Sequence, residues 1–108
     1  MTAWPTHDAL AKNVNTTFRI RVGDSEIVET ELTEVSEQVL SPNQERFSAV
    51  FRGPKDKFLG QGLHHFEHPE LKNFDLFIVP VGQDDRGTYY EAIFNRLLSY
   101  QSPQASGQ

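Results

Sequence analysis

His64, His65, Glu67 and His68 fall within five residues of one another. No other stretch concentrates so many side chains able to bind a metal or move a proton. Zinc held by imidazole needs nitrogens at ~2.0–2.1 Å, converging on one point. The spacing works against that. On a β-strand His64 and His68 share a face but stand ~13 Å apart, at ~3.3 Å per residue. His65 and Glu67 point to the opposite face. No two of these histidines chelate one ion on an unbroken strand, so no metal is expected. Each has an ordinary place instead. His64 fits a core-facing slot, and His65 a half-exposed surface position. His68 precedes Pro69 in a turn, where its ring can hydrogen-bond the backbone.

Two other constellations carry charge. Glu26, Glu29, Glu31, Glu34 and Glu37 form an acidic series, but calcium needs about six to eight oxygens converging from a loop. On a regular strand only Glu29 and Glu31 are same-face neighbours, so the series reads as a solvated strand face. Gln83-Asp84-Asp85-Arg86-Gly87 holds adjacent carboxylates. Paired carboxylates do acid–base chemistry only where a pocket drives their pKa values apart, and a hairpin tip is open to water. Its aspartates and glycine are what a turn requires. The serines form no nucleophile elbow, and there is no glycine-rich phosphate loop. The chain has no cysteine, which removes thiolate metal sites, disulfides and cysteine nucleophiles. A non-catalytic protein with no cofactor is the expectation.

The formal net charge is −5, from 15 acidic and 10 basic residues, and the basic ones are scattered. A nucleic-acid partner is not expected, because phosphate neutralisation needs a basic face. Nor is a membrane: the longest apolar run, Leu76-Phe77-Ile78-Val79-Pro80-Val81, falls far short of the ~20 residues of a spanning helix. The first residues, MTAWPTHDALAK, have neither the basic start nor the apolar stretch of a signal peptide. A cytoplasmic location is expected.

The elements that must position these residues are mostly strands. Residues 6–13 form a short helix, capped by Thr6 or Asp8 and blocked behind by Pro5. Too short to stand alone, it must pack on the β-structure. From Thr17 the period becomes two. Phe18, Ile20 and Val22 share a face, and Gly23-Asp24 turns the chain into a strand from Glu26 to Val35. Val28, Thr30 and Leu32 share its inner face, and Val35 breaks parity, which predicts a bulge near Thr33 or Glu34. Ser41-Pro42-Asn43 reads as a loop. A third strand carries Phe47, Ala49 and Phe51. Residues 55–62 connect it to a fourth at 63–68, with Phe58 and Leu59 exposed. A fifth covers 74–81 and a sixth 88–97, the latter with Tyr90, Ala92 and Phe94 on one face. Phe66, Phe74, Leu76 and Ile78 complete the expected core.

Six strands with tight connections predict sequential antiparallel pairing. They also predict closure or folding into two layers, which hides the edges. The fold class is mainly β: a six-stranded antiparallel small barrel or barrel-like sandwich with a short N-terminal helix. Residues 1–98 form a single β domain, and 99–108 form a disordered tail with almost nothing to bury.

Several stretches together resemble a bacterial family of small domains of unknown function. They are Phe47-Ser48-Ala49-Val50-Phe51-Arg52-Gly53-Pro54, Gln61-Gly62, Glu67-His68-Pro69-Glu70-Leu71, Phe74, Leu76 to Gly82, and Tyr90-Glu91-Ala92-Ile93-Phe94-Asn95. Lys72 departs from the pattern, where a glycine is expected. The resemblance implies a fold and no mechanism. It also suggests bacterial loci that encode proteins similar to phage-tail collars, and so an accessory or assembly role.

Three functions compete. The first is a protein-interaction module acting on another protein or on itself. It rests on Phe77, Val79 and Ile93, which face away from the core in this register although a wet sheet face should be polar there. The second is a small-molecule or lipid carrier using the barrel interior, with His64 and Tyr90 lining the pocket. The third is a small enzyme with its site at a barrel mouth. For the first, the question is whether the N-terminal helix, with Trp4, Leu10 and Val14, covers the outer stripe or plugs a barrel end.

Overall fold

A computed structural model describes residues 4–97 of the chain; the tail expected at 99–108 lies outside the described residues. The elements are α1 (His7–Ala11), β1 (Thr17–Val22), β2 (Glu26–Val35), β3 (Val39–Ser41), β4 (Gln44–Gly53), β5 (Gly62–His68), β6 (Lys72–Asp84) and β7 (Gly87–Leu97). All pairings are antiparallel. β1, β5, β6, β7, β4 and β2 form a closed ring, and β3 hangs on β4 as an extra strand.

Pairing departs from the expected sequential order. β1 pairs with β2 and then with β5, and β4 lies between β7 and β2. The ring closes because β2 is long and bends. Its first part pairs with β1 from Glu26 to Glu31, and its second part pairs with β4 from Glu31 to Val35. The expected bulge is there, with the register shifting between Leu32 and Glu34. The bulged Thr33 donates its hydroxyl to the Val50 carbonyl (3.1 Å), which ties the bend to β4. A second irregularity, between Pro80 and Gly82, falls where proline has no N–H to give the ladder.

β3 differs from the expected loop. Val39 to Ser41 pairs back onto Gln44 to Arg46, so the Pro42-Asn43 pair is the tip of a hairpin. At the β6–β7 end the strands also run further than expected, leaving only Asp85 and Arg86 between them.

All of the expected core residues are buried, Phe18, Phe51 and Phe66 completely. Their rings interlock. Phe47 stacks on Phe94 (4.6 Å), Phe66 stacks on Phe74 (5.6 Å), and Phe51 meets Phe18 at 5.3 Å and Phe66 at 5.0 Å. Such offset and edge arrangements are the ones the ring quadrupoles favour.

Both mouths are plugged from the chain itself. At one, α1 buries Leu10 completely. Thr6 accepts from Ala9 N (3.1 Å) as its cap, Trp4 sets its ring edge-on to Phe94 (5.3 Å), and His7 does the same to Phe47 (5.0 Å). The buried Glu45 carboxylate, held by Arg96 at 2.5 Å and by Gln38, lies beside them. At the other mouth Leu59 is only 4% exposed, which corrects the expectation that it is exposed. Its N–H donates to the Tyr90 hydroxyl (2.9 Å).

Lys72 stands at φ +71°, closing the three-residue loop between β5 and β6. That is the left-handed region where the resemblance leads one to expect glycine. Lys72 adopts this conformation at a steric cost of about 1–2 kcal/mol.

Candidate functional site

The outer wall of the barrel is ordered by register into two sectors of opposite character. In the first, outward charged residues of β2, β1, β5 and β6 pair across strands, with Ile27 exposed among them. Arg19 meets Glu29 (3.5 Å), and Arg21 meets Glu67 (2.8 Å). His65 lies between Asp75 (2.8 Å) and Glu67 (3.8 Å). Three of the β2 glutamates are thus taken up, since Glu26 and Glu31 also reach Lys57 and Arg52, both at 2.6 Å, while Glu34 forms no ion pair among the described residues. Pairs this exposed contribute at most about 1 kcal/mol each.

The second sector runs across β5, β6, β7 and β4 and carries a row of exposed apolar side chains. Leu63 is directly opposite Phe77. Ile93 lies on β7 one residue beyond the last β6–β7 pair, Ile78 with Ala92, just as Phe77 lies one residue before it on β6. Ile93 is in turn opposite Ser48 on β4. Leu63, Phe77 and Ile93 are 67%, 52% and 55% exposed, and Val39, opposite Arg46, is 58% exposed. Because α1 occupies a mouth, it leaves this row uncovered. Next to Ile93 a groove of about 420 Å³ is lined by Ser36, Glu37, Val39, Arg46, Ser48 and Asn95.

Of the residues singled out in the sequence, Phe77 and Ile93 come together on this sector. Val79 faces outward with them but is half-buried and opposite Glu91. Leu63, Val39 and Arg46 were not singled out, and Glu37 was read only as part of the solvated acidic series. Leu63 and Arg46 join the sector only through cross-strand register. The apolar pair Val39-Leu40, separated from Pro42-Asn43 only by Ser41, was a hairpin signal for β3. His64 and Tyr90 hold consecutive residues of the connection between β4 and β5. Tyr90 accepts from Leu59 N, and His64 Nε2 donates to the Gly60 carbonyl (2.8 Å).

A larger, open groove of about 750 Å³ lies on the charged side, lined in part by Asn13, Thr16, Arg19, His68 and Glu70. His68 has both ring nitrogens engaged. Its Nδ1 accepts from Glu70 N (3.1 Å) and Leu71 N (3.2 Å), as expected of a histidine before this turn. The proton therefore sits on Nε2, which donates to the Thr16 hydroxyl (3.1 Å), and that hydroxyl donates to the Asn13 carbonyl (2.7 Å). An imidazole so occupied is a structural clamp rather than a free base. Among the described residues no three His, Asp or Glu side chains converge as a metal site, and no helix is long and apolar enough to cross a membrane.

Burial pushes the His68 pKa below the ordinary 6.5, against a smaller opposing pull from Glu70. A depressed histidine pKa means that the unfolded chain takes up the proton first as pH falls. The stability tied to His68 is then complete above about pH 6.5 and is lost as the pH drops towards the folded-state pKa. Urea midpoints followed from pH 7.5 to 5 should fall in the wild type. In His68→Asn, which keeps an acceptor for the turn but cannot titrate, that step should be missing. Parallel curves would exclude His68 as its origin.

A family model described as a domain of unknown function (DUF6916) matches residues 5–94, which span the barrel from Pro5 to Phe94. No curated protein and no solved structure matches the chain.

Proposed function

We propose that this chain, which belongs to the DUF6916 family of domains of unknown function, is a non-catalytic protein-interaction module that binds through the outer sector centred on Phe77 and Ile93. The observation that supports this is the row of Leu63, Phe77 and Ile93, which lie side by side across β5, β6 and β7 and are exposed among the described residues. Contiguous exposed apolar surface on a small protein commonly marks an interface. Val79 stands at the edge of that surface. An assembly role in a bacterial locus encoding phage-tail-like proteins is the setting in which such a module would work.

The test is to replace Phe77 and Ile93 by lysine, singly and together, in the full chain, and to measure both stability and assembly. Exposed positions should change stability by no more than about 0.5 kcal/mol, while association with partner chains is lost. Unfolding of the variants would show that the row is covered within the chain. Stable variants with unchanged association would show that it binds nothing.

A further inference from the structure

Five arginines stand on strands: Arg19, Arg21, Arg46, Arg52 and Arg96. Four of them reach a carboxylate, at 3.5, 2.8, 2.6 and 2.5 Å for Arg19, Arg21, Arg52 and Arg96. Arg46 forms no ion pair among the described residues, although it is exposed on the outer face of β4. Glu37 is also exposed, lines the same groove, and forms no ion pair among the described residues. The two do not pair with each other. Val39 and Ile93 line the groove with them, and Phe77 continues the apolar surface beyond.

A partner that satisfies this groove must present an apolar patch together with one anion and one cation. The chain itself presents that set. A two-fold axis makes an interface isologous, so that residue i meets residue j of the copy and j meets i. A two-fold axis on this face would set Arg46 against the copy's Glu37 and Glu37 against the copy's Arg46, and would enclose Val39, Ile93 and Phe77 between them. We propose that the occupant of this surface is a second copy of the chain, in a symmetric dimer closed by two reciprocal Arg46–Glu37 pairs. This rests on the interaction reading above and names its partner.

The experiment uses sedimentation equilibrium on the full chain from roughly 1 μM to 1 mM, the range in which modest interfaces dissociate. The wild type should show a concentration-dependent monomer–dimer equilibrium. Arg46→Glu and Glu37→Arg should each weaken self-association by roughly tenfold or more, because like charges then face each other. Their melting temperatures should stay within the range of surface changes. An equimolar mixture of the two variants should recover the dimer, because both cross-axis contacts again join opposite charges. A contact within one chain would not produce that recovery. The proposal is overturned if the wild type is monomeric at every concentration, or if a dimer ignores the charge reversals. A mixture that stays monomeric overturns it too. If the wild type is monomeric and the lysine variants at Phe77 and Ile93 still abolish binding of a different protein, the interaction reading stands and only its occupant changes. If those variants also alter nothing, both fall.

Discussion

Gly87→Ala should destabilise the protein by about 3–5 kcal/mol, the sum of a forced backbone displacement and a strained dihedral. Gly87 opens β7 beside Gly53, the last residue of β4, with Thr88 and Gly53 directly paired. A Cβ on Gly87 would lie 2.1 Å from the Gly53 carbonyl oxygen and 3.0 Å from Arg52 Cγ. The nearer atom belongs to the backbone, so no rotamer change relieves it. The φ of +155° adds to the cost for any residue with a side chain. Domains of this kind are stable by about 5–15 kcal/mol, so the loss is a large part of the total. Urea denaturation reads it directly. Gly60→Ala is the control, since nothing lies within 4 Å of its added Cβ, and it should change stability by less than about 0.5 kcal/mol. If Gly87→Ala matched that control, β4 and β7 would not approach here as described.

Phe51→Ala should cost a similar amount, about 3–5 kcal/mol, for a different reason. Phe51 is completely buried, and its strand is flanked on both sides, by Leu32 of β2 and Tyr90 of β7. Its ring bridges Phe18 and Phe66. Truncation removes the apolar surface and leaves a cavity whose walls belong to strands fixed by the ring closure, so collapse is restricted. Phe58, largely exposed on the connection after β4, is the comparison, with an expected loss below about 1 kcal/mol on truncation. A loss of that size at Phe51 would contradict the inward register of β4.

The inward register is legible in the amino-acid sequence because side-chain alternation is a local property. Phe18 with Ile20, Phe47 with Phe51 and Tyr90 with Phe94 each declare a face within one strand. The bulge at Thr33 is legible for the same reason: Val35 breaks the alternation begun by Val28. The same parity sets Phe77 and Ile93 outward. What is not legible requires knowledge of neighbours. Leu59 looks like any apolar residue in a polar connection until Tyr90 offers its hydroxyl from β7. Leu63 and Arg46 become part of one surface only when β5, β6, β7 and β4 are laid side by side. Sequential pairing is the expectation that costs the least loop entropy. It fails at β4, whose long pairing with β7 and shorter pairing with β2 together close the ring.

That position of β4 has a kinetic meaning. Its ladder with β7 joins Gln44 to Leu97 and Gly53 to Thr88, and β1 joins β5 through Arg19 and Glu67, so these ring-closing pairings are distant in the chain. Folding dominated by distant pairings is slow, on the order of milliseconds to seconds, because loop entropy is lost before the contacts form. During synthesis β4 leaves the ribosome with β2 already available, but its longest partner is still unmade. The nascent chain carries an incomplete barrel, with Phe47 and Phe51 unsheltered on one side, until β7 emerges. Chaperone capture of this chain should therefore be concentrated on ribosome-bound intermediates that end before Gly87.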